Sequence, residues 1–286
     1  MGKPHILSFR FLTSMLRLTR TGNLIIIALA QYFTAGFITH VDVFHDIRLF
    51  ILSLSTVCIA AAGYIINDYY DVKIDYVNKP DRVEIGRTVS RRYALFFHSA
   101  LSALGVVLGV YLSLYIGAVN LFSVFLLWLY SNQLKRLPFI GNFSVALLTA
   151  LSIMVVELLY PGKYMLVLIY ALFAFFMTLV REIVKDMEDL KGDHTFGCKT
   201  LPIVLGIRKS KMVLYAIITI FVFTVFFIDY AYGQLPEYFF LVFLFIPLAI
   251  FIYQLTRADT VRQFSLLSSY CKLIILLGIV SMAFLH

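Results

Sequence analysis

Apolar stretches of about 20 residues recur along the whole chain and constrain its fold more than any other feature. A helix needs about 20 mostly apolar residues to cross a bilayer, whereas a transmembrane β-strand needs about ten that alternate in polarity. Because backbone groups in lipid must be satisfied internally, the sequence predicts an all-α integral membrane bundle, a single domain over 1–286. The nine predicted transmembrane helices are 22–40, 48–66, 93–115, 118–133, 142–159, 163–180, 211–229, 237–256 and 266–285.

The composition agrees with a membrane protein. Hydrophobic residues make up 61% of the chain and charged residues only 14%, against roughly 25% in soluble domains. The net charge of +8 is explained by basic loops on one side of a membrane, so no nucleic-acid partner is expected. The three scattered cysteines indicate neither a disulfide framework nor a cysteine metal cluster.

Lys and Arg are distributed very unevenly between the two sets of predicted loops. Counting loop edges, 21 of the 24 fall on the side of the N-terminus, whereas Arg48 and Lys163 fall on the other and Lys272 lies within the last predicted span. Since loops rich in Lys and Arg stay in the cytoplasm, the N-terminus is predicted to be cytoplasmic and the C-terminus to lie opposite. The other predicted cytoplasmic loops are 67–92, 134–141, 181–210 and 257–265.

Ten of the 16 acidic residues lie in two places, each following an apolar run on the predicted cytoplasmic side. We name Asn67–Arg82 the first acidic motif and Arg181–Asp193 the second acidic motif. The ten residues are Asp68, Asp71, Asp75 and Asp81 in the first motif, Glu84 just after it, and Glu182, Asp186, Glu188, Asp189 and Asp193 in the second.

The spacing within both motifs predicts acidic helical faces. If the second span continues as a helix, Asn67, Asp71 and Asp75 share one face, with Asp68 at its edge. Glu182, Asp186, Asp189 and Asp193 follow at intervals of four, three and four. Like charges one turn apart destabilise a helix unless a cation lies between them, so each face is predicted to bind one.

Oxygen ligands at a membrane surface suit Mg²⁺, which commonly joins carboxylates to phosphate oxygens. We therefore expect the two motifs to approach each other around Mg²⁺ and a phosphorylated substrate in a cavity that faces the cytoplasm. Neighbouring basic side chains supply charge for the remaining phosphate oxygens. These are Lys73, Lys79, Arg82, Lys135, Arg136, Lys185 and Lys199.

Two other interpretations of the acidic motifs remain open. Charge runs in loops are often no more than solvated surface, but that does not select two acidic stripes at helical spacing. An ion-transport site usually places acids near the bilayer midplane, whereas the predicted spans are nearly free of them.

The motifs resemble those of the UbiA superfamily of intramembrane prenyltransferases. Asn67-Asp68-x-x-Asp71-x-x-x-Asp75 with Asn78-Lys79-Pro80-x-Arg82 resembles the family's first signature, and Asp189-x-x-x-Asp193 resembles the second. Tyr130-Ser131, Leu134-Lys135-Arg136 and Gly141-Asn142 are similar to its middle motif. We use that name for 130–142.

The resemblance implies transfer of a prenyl group from an isoprenoid diphosphate to a lipid-soluble membrane acceptor. Asn67, Asp71, Asp189 and Asp193 would hold Mg²⁺ and the diphosphate, with Asp68 and Asp75 assisting. The residues implied to contact or adjoin the diphosphate are Arg82, Lys135, Arg136 and Tyr130.

The second motif with Lys199-Thr200-Leu201-Pro202 is most similar to family members that use geranylgeranyl diphosphate to alkylate geranylgeranylglyceryl phosphate. These enzymes often continue Pro-Ile-Pro-Ser-Gly after the arginine of the first motif, where this chain has Val83-Glu84-Ile85-Gly86. The phosphate of such an acceptor would bind Lys185 and Lys199. The alternatives are an aromatic acceptor, as in quinone biosynthesis, and a non-enzymatic transporter or scaffold.

Overall fold

The computed structural model describes residues 9–233, 235–236, 238 and 240–285. The N-terminal residues and His286, whose orientation was predicted above, lie outside the described part. So do residues 237 and 239 of the eighth predicted span and the side chain of Arg82.

Helices account for nearly all of the described chain. A π-helical turn, Thr34–Ile38, continues the helix Thr21–Phe33, and another, Phe240–Phe245, precedes the helix Ile246–Arg257. The helix Leu201–Tyr232 is broken at Gly206, whose φ of 78° lies outside the helical region. The helices are α1 Phe9–Leu18, α2 Thr21–Phe33, α3 Ile47–Asn78, α4 Arg91–Leu112, α5 Leu114–Asn132, α6 Ile140–Leu159, α7 Tyr164–Glu188, α8 Leu190–Thr195, α9 Leu201–Tyr232, α10 Ile246–Arg257 and α11 Val261–Ser281.

Eight helices in the described part of the chain are long and apolar enough to cross a membrane. They correspond to eight of the nine predicted spans. The remaining prediction, 237–256, overlaps a shorter apolar helix at Val242–Arg257. The all-α membrane fold is therefore confirmed, and the count of nine stays a prediction.

The described residues fall into two compact units. The first comprises 9–28 and Ile47–Leu134, and the second comprises Leu29–Asp46 and the described residues from Lys135 onward. The first acidic motif and Tyr130 belong to the first unit, whereas Lys135, Arg136 and the second acidic motif belong to the second. The interpretation of 1–286 as one domain stays a prediction.

Helix α3 is the centre of the first unit and packs against α4 and α5. Gly105 allows close approach, because a Cβ there would meet the Ser55 carbonyl oxygen at 2.9 Å. At this crossing the Ser55 hydroxyl donates to the Gly105 carbonyl at 2.8 Å, and the Asn120 amide donates to the Ser55 hydroxyl at 2.6 Å. Ser55, Asn120 and the Gly105 carbonyl thus satisfy one another, as an apolar environment requires.

Helix α7 is the centre of the second unit and packs against α6, α9 and α11. Gly278 of α11 lies against the ring of Phe173. The same ring packs edge-on against Phe221 of α9. The hydroxyls of Tyr170 and Ser281 are 3.1 Å apart and buried, which joins α7 to α11.

The two acidic motifs extend from the most buried helix of each unit. Within the most apolar 18-residue window, 61% of residues are buried in α3 and 72% in α7, against at most 44% in the other spans. The surrounding helices therefore fix the position of the motif-bearing helices most firmly.

Candidate active site

The first acidic motif continues α3 beyond its apolar run, as predicted. The helix ends only at Asn78, so Asn67, Asp71 and Asp75 lie on successive turns of one face, and all three are half-buried. Asp68 accepts a hydrogen bond of 2.8 Å from the Arg20 guanidinium, which also lies 5.0 Å above the ring of Tyr64.

Arg20 was not identified as a site residue from the sequence, where it counted only as loop charge. Burial by itself lowers the pKa of Arg20, but the charge of Asp68 and its hydrogen bond outweigh burial and raise the pKa. The cation therefore compensates one carboxylate of the acidic face, as the like-charge argument required.

Asn67 supports the prediction of a cation site. Its Oδ1 is buried and has no hydrogen-bond partner within the described part of the chain. A buried polar oxygen without a partner costs about 1–3 kcal/mol, so a bound cation or water is an expected explanation for such an atom. An amide oxygen beside carboxylates fits the ligand preference of Mg²⁺.

The segment after α3 is folded against the N-terminal helix. Glu84 is buried, with its carboxylate 2.8 Å from the donating Ser14 hydroxyl and 3.1 Å from the donating Arg17 guanidinium. Burial raises the pKa of Glu84, but the hydrogen bonds from Ser14 and Arg17 outweigh it, and the net pKa lies below the ordinary value. No pattern in the sequence indicates these contacts.

The middle motif comprises the end of α5, a following turn and the start of α6. Tyr130 is half-buried near the end of α5, and the 3₁₀ turn Leu134–Arg136 follows. Within this turn Lys135 is half-buried and Arg136 is exposed.

Two hydrogen bonds join the middle motif to the region of the second acidic motif within the second unit. The Lys199 backbone N–H donates to the Arg136 carbonyl at 2.8 Å. The Asn142 amide, on the first turn of α6, donates to the Asp186 carboxylate at 2.8 Å. The first of these contacts places two of the predicted phosphate-binding residues, Arg136 and Lys199, side by side.

The second acidic motif does not form the single continuous helical face that its spacing predicted. Helix α7 ends at Glu188, Asp189 has φ −91° and ψ 7°, and the short helix α8 follows. Backbone hydrogen bonds from Asp189 to Lys185 and from Asp193 to Asp189 still keep these residues one turn apart. The break therefore does not separate the two aspartates.

Two acidic residues of the same motif, Glu182 and Asp186, contact other side chains of the second unit. Glu182 is buried and pairs with Arg181, and Asp186 is held by Asn142. Asp189 and Asp193 remain half-buried, as does Lys185, whereas Lys199 is exposed. Asp189 and Asp193, the two aspartates of the second signature, are thus less buried than Glu182.

No group of three or more His, Cys, Asp and Glu side chains is arranged to bind one metal ion among the described residues. Mg²⁺ commonly uses one or two protein carboxylates and completes its shell with water and substrate phosphate. Asn67 with Asp71, and Asp189 with Asp193, fit that mode of binding. Their assignment as ligands stays a prediction.

The sequence profile of the UbiA prenyltransferase family matches residues 26–278. This chain belongs to the UbiA prenyltransferase family. It is therefore a prenyltransferase and, with its apolar helices, a multi-pass integral membrane protein. The resemblance found in the three motifs is confirmed.

Individual UbiA relatives match over almost the whole chain. The digeranylgeranylglyceryl phosphate synthase of Saccharolobus solfataricus is 35% identical over 276 residues, which cover 94% of this chain and 95% of the relative. A solved structure on digeranylgeranylglyceryl phosphate synthase in membranes has a TM-score of 0.74 at 25% identity, covering 96% of this chain and 97% of that one. A UbiA homolog from Archaeoglobus fulgidus, bound to GPP and Mg²⁺, shares the fold with a TM-score of 0.71 at 16% identity, covering 94% and 99%.

The lowered pKa of Glu84 predicts a pH-dependent contribution to the stability of this UbiA protein. A carboxylate whose pKa is lower in the folded state stabilises it above the unfolded-state pKa and loses that effect as the pH falls through the folded-state pKa. We expect Glu84→Gln to lower the Tm in detergent at neutral pH. As the pH falls below 4.5, the ordinary pKa of a glutamate, the difference in Tm between this variant and wild type should shrink.

Thermal melts over a pH series measure this difference. Asp81→Asn, which neutralises an exposed carboxylate close to Glu84, is the matched control. A difference for Glu84→Gln that stays constant from neutral pH to well below 4.5 would contradict the assignment.

Proposed function

We propose that this protein transfers a geranylgeranyl group from its diphosphate to the hydroxyl of geranylgeranylglyceryl phosphate, in a Mg²⁺-dependent reaction that forms an ether lipid. The observation that carries the proposal is the likeness to a digeranylgeranylglyceryl phosphate synthase along 94% of the chain. The related fold that binds GPP and Mg²⁺ supports the same chemistry.

The reaction breaks the bond between the allylic carbon and the diphosphate oxygen. The electron pair of this bond leaves with the diphosphate. The acceptor oxygen then bonds to the allylic carbon, and its proton is released to water or to the departing diphosphate. Mg²⁺, when bound, stabilises the charge that develops on the leaving group. Asn67, Asp71, Asp189 and Asp193 would hold the metal, with Asp68 and Asp75 assisting.

The basic residues of the middle motif would bind the diphosphate. Lys135 and Arg136 lie in the 3₁₀ turn that follows α5, and the hydrogen bond from Lys199 to Arg136 fixes the backbone of this turn. Arg guanidinium groups bind phosphate through two parallel hydrogen bonds, which orients as well as attracts it. Arg82 is proposed for the same role.

Neutralising one aspartate of either motif should remove most of the activity. We expect Asp71→Asn and Asp189→Asn each to reduce turnover at least about 100-fold, because metal-based stabilisation of a leaving group is worth several kcal/mol. Prenyl transfer is measured by mass spectrometry of the lipid extract at fixed Mg²⁺.

The matched control is Asp259→Asn, which removes an exposed carboxylate whose partner is Lys211 at 3.0 Å. Circular dichroism and thermal melts establish that the three variants are folded. Near-normal turnover of either motif variant at low Mg²⁺ would refute its assignment as a metal ligand.

The acceptor is proposed to be recognised through its own phosphate. Lys185 and Lys199 flank Asp189 and Asp193, and Lys199 lies beside Arg136, so the second unit offers positive charge beyond that needed by the diphosphate. The positive-inside bias could place lysines here without any ligand. A comparison of acceptors separates the two explanations.

We expect geranylgeranylglyceryl phosphate to be used with a KM about tenfold lower than that of its dephosphorylated alcohol, since a charge-assisted hydrogen bond contributes about 1.5–3 kcal/mol. Lys199→Ala should raise the KM for the phosphate but not for the alcohol. Lys209→Ala, an exposed lysine further along α9, is the control. Equal use of both acceptors, or exclusive use of a hydroxybenzoate or naphthoate, would favour the aromatic alternative.

The acidic motifs are proposed to lie on the cytoplasmic side, on the strength of the uneven distribution of Lys and Arg. All three native cysteines are buried, so an introduced cysteine can be labelled selectively. In intact cells a membrane-impermeant thiol reagent should label Phe44→Cys, at a side chain 91% exposed, but not Arg92→Cys. The reverse pattern would invert the proposed orientation.

A further inference from the structure

The N-terminal helix α1 packs against the loop that follows the first acidic motif, which we name the motif loop (79–90). Phe11 and Leu18 of α1 share one buried apolar cluster with Ile85 and Val89 of the loop and Ile65 of α3. The helix, the loop and the motif-bearing helix are thus joined by a common core within the first unit.

Polar contacts reinforce this packing at Glu84. The carboxylate of Glu84 accepts from the buried Ser14 hydroxyl at 2.8 Å and from Arg17 at 3.1 Å. Only 8% of Glu84 and 4% of Ser14 is exposed, so water cannot replace their contact. The Arg17 side chain is 73% exposed and contributes less.

Glu84 also organises the loop through its backbone. Its carbonyl oxygen accepts hydrogen bonds from the N–H groups of Arg87, Thr88 and Val89, while Gly86 takes a φ of 90° that favours glycine. These bonds close the loop into a compact turn around the residue that α1 holds.

Arg87 carries the connection back to the motif. Its guanidinium donates to the Pro80 carbonyl at 3.0 Å and lies 5.1 Å from the ring of Tyr76 on α3. Pro80 stands between Lys79 and Arg82, the basic residues of the first signature. The position of α1 is therefore linked, contact by contact, to the segment proposed to bind phosphate.

Arg20 forms a second link between the N-terminal segment and the motif. It lies between α1 and α2 with a φ of 51°, an unfavourable conformation for a residue other than glycine. In this conformation it donates to Asp68 at 2.8 Å. Strained backbone that persists is commonly associated with a functional contact.

No proline, which would fix φ, restricts the backbone of Val83-Glu84-Ile85-Gly86 in the motif loop. Side-chain contacts from α1 restrict this stretch instead.

We propose that α1 is a brace for the motif loop, in which Ser14 and Glu84, and at its end Arg20, are positioning residues for diphosphate binding. A loop that is ordered beforehand loses less conformational entropy when it binds its ligand, so the brace raises affinity without touching substrate. The proposal rests on the proposed function, because the ligand of the loop is the prenyl diphosphate.

The test compares Ser14→Ala, Glu84→Ala and Glu84→Gln with wild type in two measurements. Hydrogen exchange of 79–90 without ligand reports the order of the loop, and equilibrium binding of geranylgeranyl diphosphate with Mg²⁺ reports affinity. We expect faster exchange and about tenfold weaker binding for Glu84→Ala, given that a lost charge-assisted hydrogen bond leaves its partner unsatisfied. Glu84→Gln, which keeps an acceptor for Ser14, should recover part of both losses, and kcat at saturating substrate should change little.

Arg10→Ala and Thr13→Ala are the matched controls, since both alter α1 away from the Glu84 contact. Unchanged exchange in the Ser14 and Glu84 variants would overturn the brace, and faster exchange with unchanged affinity would overturn its role in binding. A wild-type protein that fails to bind the diphosphate would overturn the proposed function and with it the binding role, while the exchange data would still report on the brace itself.

Discussion

The inability of hydrocarbon to solvate charge is the constraint on which the rest of this structure depends. It confines acidic and basic groups to the ends of the apolar helices or to contacts that neutralise them. Helix α3 has 32 residues and is therefore about 48 Å long, well beyond the roughly 30 Å of a bilayer core. Its polar end can carry the first acidic motif outside the hydrocarbon while its apolar part stays anchored.

The same constraint explains why the motifs extend from the two most buried helices. A helix surrounded by protein keeps a fixed depth and rotation, whereas a peripheral helix contacts lipid over much of its surface. Within each unit, the side chains at the end of the buried helix are held in a correspondingly fixed geometry. The polar links from Asn142 to Asp186 and from Lys199 to Arg136 add further restraint in the second unit.

Acidic residues within one motif have different surroundings, although their spacing makes them look equivalent. Glu182 and Asp186 are bound to Arg181 and Asn142, and Asp68 is bound to Arg20. Asn67, in contrast, keeps a buried oxygen that no described residue satisfies. Burial and hydrogen-bond partners thus differ among residues that helical spacing alone makes look alike.

The sequence by itself determined the all-α membrane fold, the helical extension of α3 beyond its apolar run and the family, because these follow from local composition and from motifs along the chain. The tertiary structure decided the contacts of Glu84 with Ser14 and Arg17, which lie 70 and 67 residues away, and of Arg20 with Asp68, 48 residues away. It also decided the break at Asp189, where the backbone leaves the helix although the spacing continues. Periodicity describes one helix at a time, whereas ion pairs and breaks depend on which helices pack together, and a single sequence holds no direct record of that packing.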